Sequence, residues 1–190
     1  MENLITPEFR AAFISVFRAT AMKNADGTTS KPKYSIRACF PPKADLSALK
    51  KEAQAAAVEK WGDKLPKTLR SPFRTNEELE APIVGIGDDW TIMSFSANED
   101  RRPGIVDAKL QDIIANDESE VYSGAWFRCQ VRAFAYDTAG NKGVSFGLQN
   151  VQKLRDDDPL GNGRIPASKA FEPVDVPDSG NGKTATSIFG

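Results

Sequence analysis

The pattern with the most chemical content lies between Ala125 and Tyr136. Its residues alternate with period two, as those of a half-buried β-strand do. Ala125, Phe127, Cys129, Val131, Ala133 and Ala135 make one wholly apolar face, and Trp126, Arg128, Gln130, Arg132, Phe134 and Tyr136 make the other. A merely solvated face seldom joins three large aromatic rings to two arginines. Aromatic rings stack on nucleobases, while guanidinium groups contact phosphates and lie over rings. Stacking of this kind contributes roughly 1–3 kcal/mol per base and needs no sequence readout. The competing explanation is an outer face covered by a loop or by a second layer.

A second basic patch holds Lys31, Lys33, Tyr34 and Arg37. Strand alternation puts Lys33 and Arg37 on one face and Tyr34 on the other, with Tyr34 joining them only if the alternation relaxes at the strand entry. Arg101, in the turn Arg101-Arg102-Pro103, and Lys142, in the loop Gly140-Asn141-Lys142-Gly143, are further candidates to meet phosphates. A solvated edge strand explains the lysines equally well, since edge lysine discourages aggregation.

Other chemistries find little support. There is no histidine, which excludes Ser-His-Asp and Cys-His catalysis and every His-ligated metal site. Gly85-Ile86-Gly87 lacks the third glycine and the following helix of a dinucleotide site. Gly140 to Gly143 leads into a strand and not into a P-loop helix. Asp88-Asp89 and Asp156-Asp157-Asp158 read as loop and tail charges rather than metal ligands. Cys39 and Cys129 sit in apolar, strand-like stretches without CxxC spacing. They read as buried thiols of a reduced, cytoplasmic protein, with a disulfide between neighbouring strands as the alternative. The expectation is a non-enzyme with no catalytic residue, cofactor or metal.

The net charge of −1 conceals a polarity along the chain. Residues 1–74 carry 14 Lys and Arg against 7 Asp and Glu, whereas residues 75–120 carry 3 against 12. The near-neutral total argues against a general polybasic coat, yet such asymmetry permits a basic groove on one face. No apolar run approaches the ~20 residues of a membrane span, and the first residues show no secretory signal pattern.

The elements that must position these side chains read as follows. Residues 9–22 form a strand whose face Phe9, Ala11, Phe13, Ser15, Phe17 and Ala19 points one way, provided no bulge intervenes. A second strand runs from Lys33 to Phe40 and stops at Pro41-Pro42. Asp45 caps a helix from Leu46 to about Trp61, with the apolar stripe Leu46, Leu49, Ala53, Ala56, Ala57 and Trp61. Residues 62–89 are loop-like. A third strand spans Trp90 to Ala97. The segment from Ile105 to Glu120 reads as either a short helix or a small hairpin. The strand from Ala125 to Tyr136, the longest of the set, and a last one from Val144 to about Leu154 flank a hairpin loop. Five strands and one helix predict a mainly β fold, closest to a five-stranded OB-type Greek-key barrel. Residues 1–155 form the domain. Residues 156–190 read as a flexible, mildly acidic tail in which Phe171, Ile188 and Phe189 offer anchors for a partner.

Several stretches carry a family likeness when taken in order: Tyr34 to Phe40 before Pro-Pro-Lys, Lys60-Trp61-Gly62, Arg102 to Asp107, Val121-Tyr122-Ser123-Gly124, and Tyr136-Asp137 through Gly140 to Gln152. Together they resemble the single-stranded DNA-binding proteins of tailed bacteriophages, over about residues 9–155. The resemblance implies an OB-fold with its helix between the second and third strands. It implies sequence-independent binding of single-stranded DNA in phage replication and recombination, in the host cytoplasm. It also implies a C-terminal tail that regulates access to the groove and recruits phage or host replication proteins, and it leaves room for self-association on DNA. The alternative is a structural or protein-interaction module on the same barrel. The expected DNA-binding residues are Lys33, Tyr34, Arg37, Arg101, Trp126, Arg128, Arg132, Phe134, Tyr136 and Lys142.

Overall fold

The computed structural model describes residues 3–23, 27–114, 119–138 and 140–161. The elements are β1 (Leu4–Ile5), β2 (Phe9–Thr20), β3 (Lys33–Phe40), α1 (Ser47–Trp61), β4 (Arg74–Thr75), β5 (Thr91–Asn98), β6 (Gly104–Val106), β7 (Trp126–Thr138) and β8 (Asn141–Arg155). Five of these strands close a ring. β2 pairs with β3, β3 with β5, β5 with β8, β8 with β7, and β7 returns to β2. Only the β5–β8 step in that ring is parallel. Numbered within the ring, the order is one-two-three-five-four, and α1 falls between its second and third strands, as expected. β1, β4 and β6 are short additions to β7, β5 and β8. The longest strand is β8 rather than β7. The pairing continues out to Thr138 and Asn141, so part of the expected hairpin loop is strand.

Phenylalanine fills the interior. Phe9 meets Phe40 and Phe95 edge-on at 5.3 and 6.0 Å between ring centroids, and Phe146 meets Phe95 and Phe73 at 6.1 and 6.3 Å. Such pairs contribute about 0.5–1.5 kcal/mol each beyond their area burial. α1 packs against β7 and β8 through Leu49, Ala53, Ala56 and Ala57. Its small side chains let the helix axis approach the sheet closely. Leu46 occupies the N-cap position, one residue inside the expected start. Asp45 still serves the helix entry, because its Oδ1 accepts the Ser47 N–H at 2.9 Å. No helix among the described residues is long and apolar enough to cross a membrane.

One expectation needs correcting. In β2 the strand register breaks between Ala12 and Ser15, and Phe13 adopts φ 48°. The single inward face therefore does not exist: Phe9, Ala11, Ala12 and Val16 are buried while Phe13 is 63% exposed. A bulge adds one residue to one strand and so shifts every later side chain to the other face. The ambiguous segment after residue 104 is the small hairpin, with Val106 bridging Asp112 and the Ile113 N–H bonded to Ile105 O. Asp107 Oδ1 accepts the N–H groups of Lys109 and Gln111 at its turn.

The chain stays packed beyond Arg155. Asp157 Oδ2 accepts the Trp126 Nε1–H at 2.7 Å, Asp158 O accepts from Arg10 Nη2 at 2.6 Å, and the Leu160 N–H reaches Ser123 O. Leu160 joins a small second core of Ala12, Cys39, Ile83, Ile86 and Ile92. A chain ending at Arg155 is therefore expected to melt below one ending at Gly161, as thermal denaturation of the two truncations would show. Equal melting temperatures would contradict the packing role of this strap. The remaining residues expected to form the tail, 162–190 with Phe171, Ile188 and Phe189, lie outside the described residues.

Cys39 and Cys129 are both free, and β2 separates their strands, which removes the disulfide alternative. Burial pushes the Cys39 thiol up to about 12 and raises the Cys129 thiol as well. Only the thiolate is nucleophilic. Native protein at pH 8 should thus resist iodoacetamide and take up two labels only after denaturation, a result mass spectrometry reads directly. Labelling of the native protein would contradict the buried placement.

Candidate nucleic-acid interface

The outer face of the ring between β3 and β7 carries a groove whose floor is made of small residues. The strand registers lay it out. Ser35 and Arg37 of β3 stand opposite Ser96 and Ser94 of β5, and Lys33 stands opposite Asn98. Ser96 pairs with Gly147 of β8, and Gly147 and Ser145 pair with Arg132 and Phe134 of β7. Serine and glycine thus occupy the centre, with large and charged side chains on the flanking strands. Three strand steps of about 4.8 Å give a face about 14 Å wide.

Two hollows run along this face. Lys33, Arg101, Arg132 and Phe134 gather around Ser96, Gly147 and Gln149 at one end. Arg37, Arg70, Arg74 and Tyr136 gather around Ser71, Ser94 and Ser145 at the other. Because Ser94 and Ser96 alternate on one face of β5, and Ser145 and Gly147 on one face of β8, the hollows are two halves of one groove. Among the described residues, no carboxylate lines either half, and none stands within ion-pair distance of these six arginines and lysines. Uncompensated cations in a concave site raise the local concentration of anions.

Local structure explains why each side chain arrives there. Phe134 projects from the centre of β7 and remains 41% exposed, its ring open to the groove. The Tyr136 ring lies across Gly143, where an added β-carbon would come within 2.5 Å of Tyr136 Oη and 2.9 Å of Arg70 O. Arg70 itself is tied to β8, its N–H bonded to Lys142 O and its carbonyl accepting the Val144 N–H. Gly143→Ala should therefore displace both Tyr136 and Arg70 and weaken ligand binding about tenfold, while the barrel stays folded. Titration and circular dichroism together check this; undiminished binding would show that Tyr136 does not depend on the glycine.

Of the residues expected from sequence, Lys33, Arg101, Arg132, Phe134, Arg37 and Tyr136 come together. The others do not. Tyr34 keeps its strand alternation and packs partly buried against the main core. Trp126 points outward, but the chain from Arg155 to Asp157 covers it. Its ring lies 6.2 Å from that of Trp90, the Arg155 guanidinium sits 4.3 Å above it, and its N–H is bound to Asp157. Arg155 is held in turn by Glu8 at 2.6 and 3.2 Å. Arg128 donates to Gln152 Oε1 at 2.7 Å on the far half of β7, beside Ile5 and Val106. Lys142 stands at the hairpin end, paired with Asp137 at 3.1 Å. Sequence reasoning missed Arg70 and Arg74, which lie in a stretch without periodicity. The surplus of cations in residues 1–74 was their one signal. It also missed Phe13, whose ring lies 5.0 Å from the Arg37 guanidinium.

A family model described as the single-stranded DNA-binding protein of Enterobacter phage Enc34 matches residues 2–180. The chain belongs to that family. Solved structures of the Enc34 family have the same fold. The single-stranded DNA-binding protein from bacteriophage Enc34 superposes with a TM-score of 0.64 at 20% identity, covering 90% of each chain. A structure of that protein in complex with single-stranded DNA gives 0.66 at 17% identity, covering 84% of this chain and 89% of the other. The single-stranded DNA-binding protein gp2.5 of bacteriophage T7 gives 0.55 at 16% identity, covering 91% and 99%. A putative protein p50 of Acyrthosiphon pisum secondary endosymbiont phage 1 is 25% identical over 173 residues, 88% of this chain and 91% of that protein.

Proposed function

We propose that the groove between β3 and β7 binds single-stranded DNA without reading its sequence, and that the protein coats and protects such strands during phage DNA replication, recombination and repair in the host cytoplasm. The observation that carries this is the pairing of exposed Phe134 and groove-lining Tyr136 with six cations that make no ion pair with a described carboxylate. Rings stack on any base, and guanidinium groups follow the phosphates. The Ser and Gly floor leaves room for the bases. Membership of the Enc34 family supports the same reading.

The role proposed is binding and not catalysis. The metal-dependent route to phosphodiester hydrolysis needs carboxylates to hold the ion where histidine is absent. Among the described residues no group of three or more Cys, Asp or Glu side chains could hold a metal ion, and no carboxylate lines the groove. The test is titration of oligo(dT), a mixed-sequence oligonucleotide and a matched duplex at several salt concentrations. The two single strands should bind alike and more tightly than the duplex, with affinity falling as salt rises. Equal affinity for duplex and single strand, or binding indifferent to salt, would refute the groove reading and favour a protein-interaction module.

A further inference from the structure

We propose that Phe13 is a stacking platform that continues the single-stranded DNA path out of the groove and across β2. This rests on the groove reading above and extends it to a strand that reading does not use. The first observation is conformational. Among the described residues only Phe13 and Leu110 have positive φ without being glycine. A bulky aromatic residue in that region is an outlier, and such outliers persist only where the surroundings over-determine them.

The surroundings do so here. Ser123 Oγ accepts the Phe13 N–H at 3.1 Å. On the N-terminal side of the bulge, the Ala11 N–H is bonded to Ala125 O and the Ala11 carbonyl accepts the Gly124 N–H. The chain at residues 123–125 therefore clamps β2 at the residue that bulges. The result is a phenyl group turned away from the core that simple alternation would have aimed it at, and left 63% exposed.

The third observation is where the ring goes. It lies against Arg37, whose guanidinium is 5.0 Å from the ring centroid. Arg37 lines the groove with Arg70, Arg74 and Tyr136. One side of the ring is thus backed by a groove cation, and a base can stack on the exposed remainder while its phosphate meets Arg37. Aromatic groups then stand at both margins of the Ser and Gly floor, Phe134 and Tyr136 on β7 and Phe13 on β2. Followed around the ring by way of β3, β5 and β8, four strand steps lie between these margins, a path of about 19 Å that takes several nucleotides. Strain at Phe13 has a purpose in this arrangement: it holds the platform out before the ligand arrives.

Phe13→Gly is the decisive variant. Glycine removes the ring and accepts positive φ without strain, so the melting temperature should hold or rise. Affinity for a long dT oligonucleotide should fall about 5- to 100-fold. Phe13→Trp should recover binding, and its emission should be quenched when poly(dT) is added to a degree the wild-type protein does not show. Phe134→Ala is the companion measurement. If Phe134→Ala weakens binding and Phe13→Gly binds as the wild type does, the platform is wrong and the groove stands. If the wild-type protein does not bind poly(dT), both readings fall. A loss of binding that accompanies a lower melting temperature in Phe13→Gly marks a structural residue and overturns the proposal.

Discussion

Alanine at Arg37, Arg70 and Arg74 together is expected to flatten the salt dependence of single-strand binding by about 2 in the slope of log affinity against log salt. Each phosphate neutralised on a single strand contributes about 0.7 to that slope through release of counterions. Carried from molar salt down to 0.1 M, three such contacts amount to a loss on the order of 100-fold in affinity. The three arginines line one half of the groove, and Arg37 also backs Phe13, so the stacking margin should weaken with them. Lys50, Lys51 and Lys60 on the exposed side of α1 provide the control, since no helix residue lines the groove. Their alanine variants should leave the slope unchanged. A slope that responds equally to both sets would mean that the whole surface attracts DNA and the groove has no special standing.

A large effect on stability is expected at Asn76. This side chain is 1% exposed and holds the 76–90 loop together. Its Nδ2 donates to Ile83 O at 3.2 Å and Ile86 O at 3.0 Å, and its Oδ1 accepts the Ile83 N–H at 2.8 Å. Asn76→Ala strips three backbone groups of their partner at one stroke. Each buried group left unsatisfied costs about 1–3 kcal/mol, and partial hydration of the loosened loop recovers some of that. The net is about 3 kcal/mol, or a melting temperature lower by roughly 6–12 °C at this chain length. Arg74 belongs to β4, directly before Asn76, so DNA affinity should fall as well. A melting temperature within a degree of wild type would show that the loop holds without its asparagine.

Much of this was legible in the sequence, for reasons that can be named. Lys33–Phe40 and Ala125–Tyr136 alternate cleanly, and the Leu49-Ala53-Ala56-Ala57 stripe has helical spacing, so local periodicity specified these strands and α1. Alternation also said correctly that Lys33, Arg132, Phe134 and Tyr136 face away from the core. It could not say which outward residues share a groove, because that depends on the register between strands far apart in sequence. Phe13 was misread because period two continues convincingly through Phe9, Ala11 and Phe13. The bulge is imposed by Ser123, 110 residues away, and leaves no trace in the local pattern. Trp126 faces outward as alternation says, and at this residue the competing explanation, a face covered by a loop, holds. What covers it is Arg155 and Asp157, in a stretch whose composition resembles a tail. Arg70 and Arg74 had no periodic neighbours to give them an address.

The closure of the ring has a consequence for how the protein is made. Phe9 and Arg10 of β2 pair with Phe127 and Trp126 of β7, and Leu4 of β1 pairs with Val131. β1 and the start of β2 thus wait for partners more than a hundred residues behind them. At about 5–20 residues per second that wait lasts roughly 6–25 seconds. Throughout it β2 can pair with β3, but its other edge stays open, and Phe9, Ala11 and Val16 lack the part of the core that β7 and β8 supply. α1, built from neighbours in sequence, is free to form early. The barrel is therefore completed late, nearly all at once, when β7 emerges and β8 follows it through the short hairpin between them.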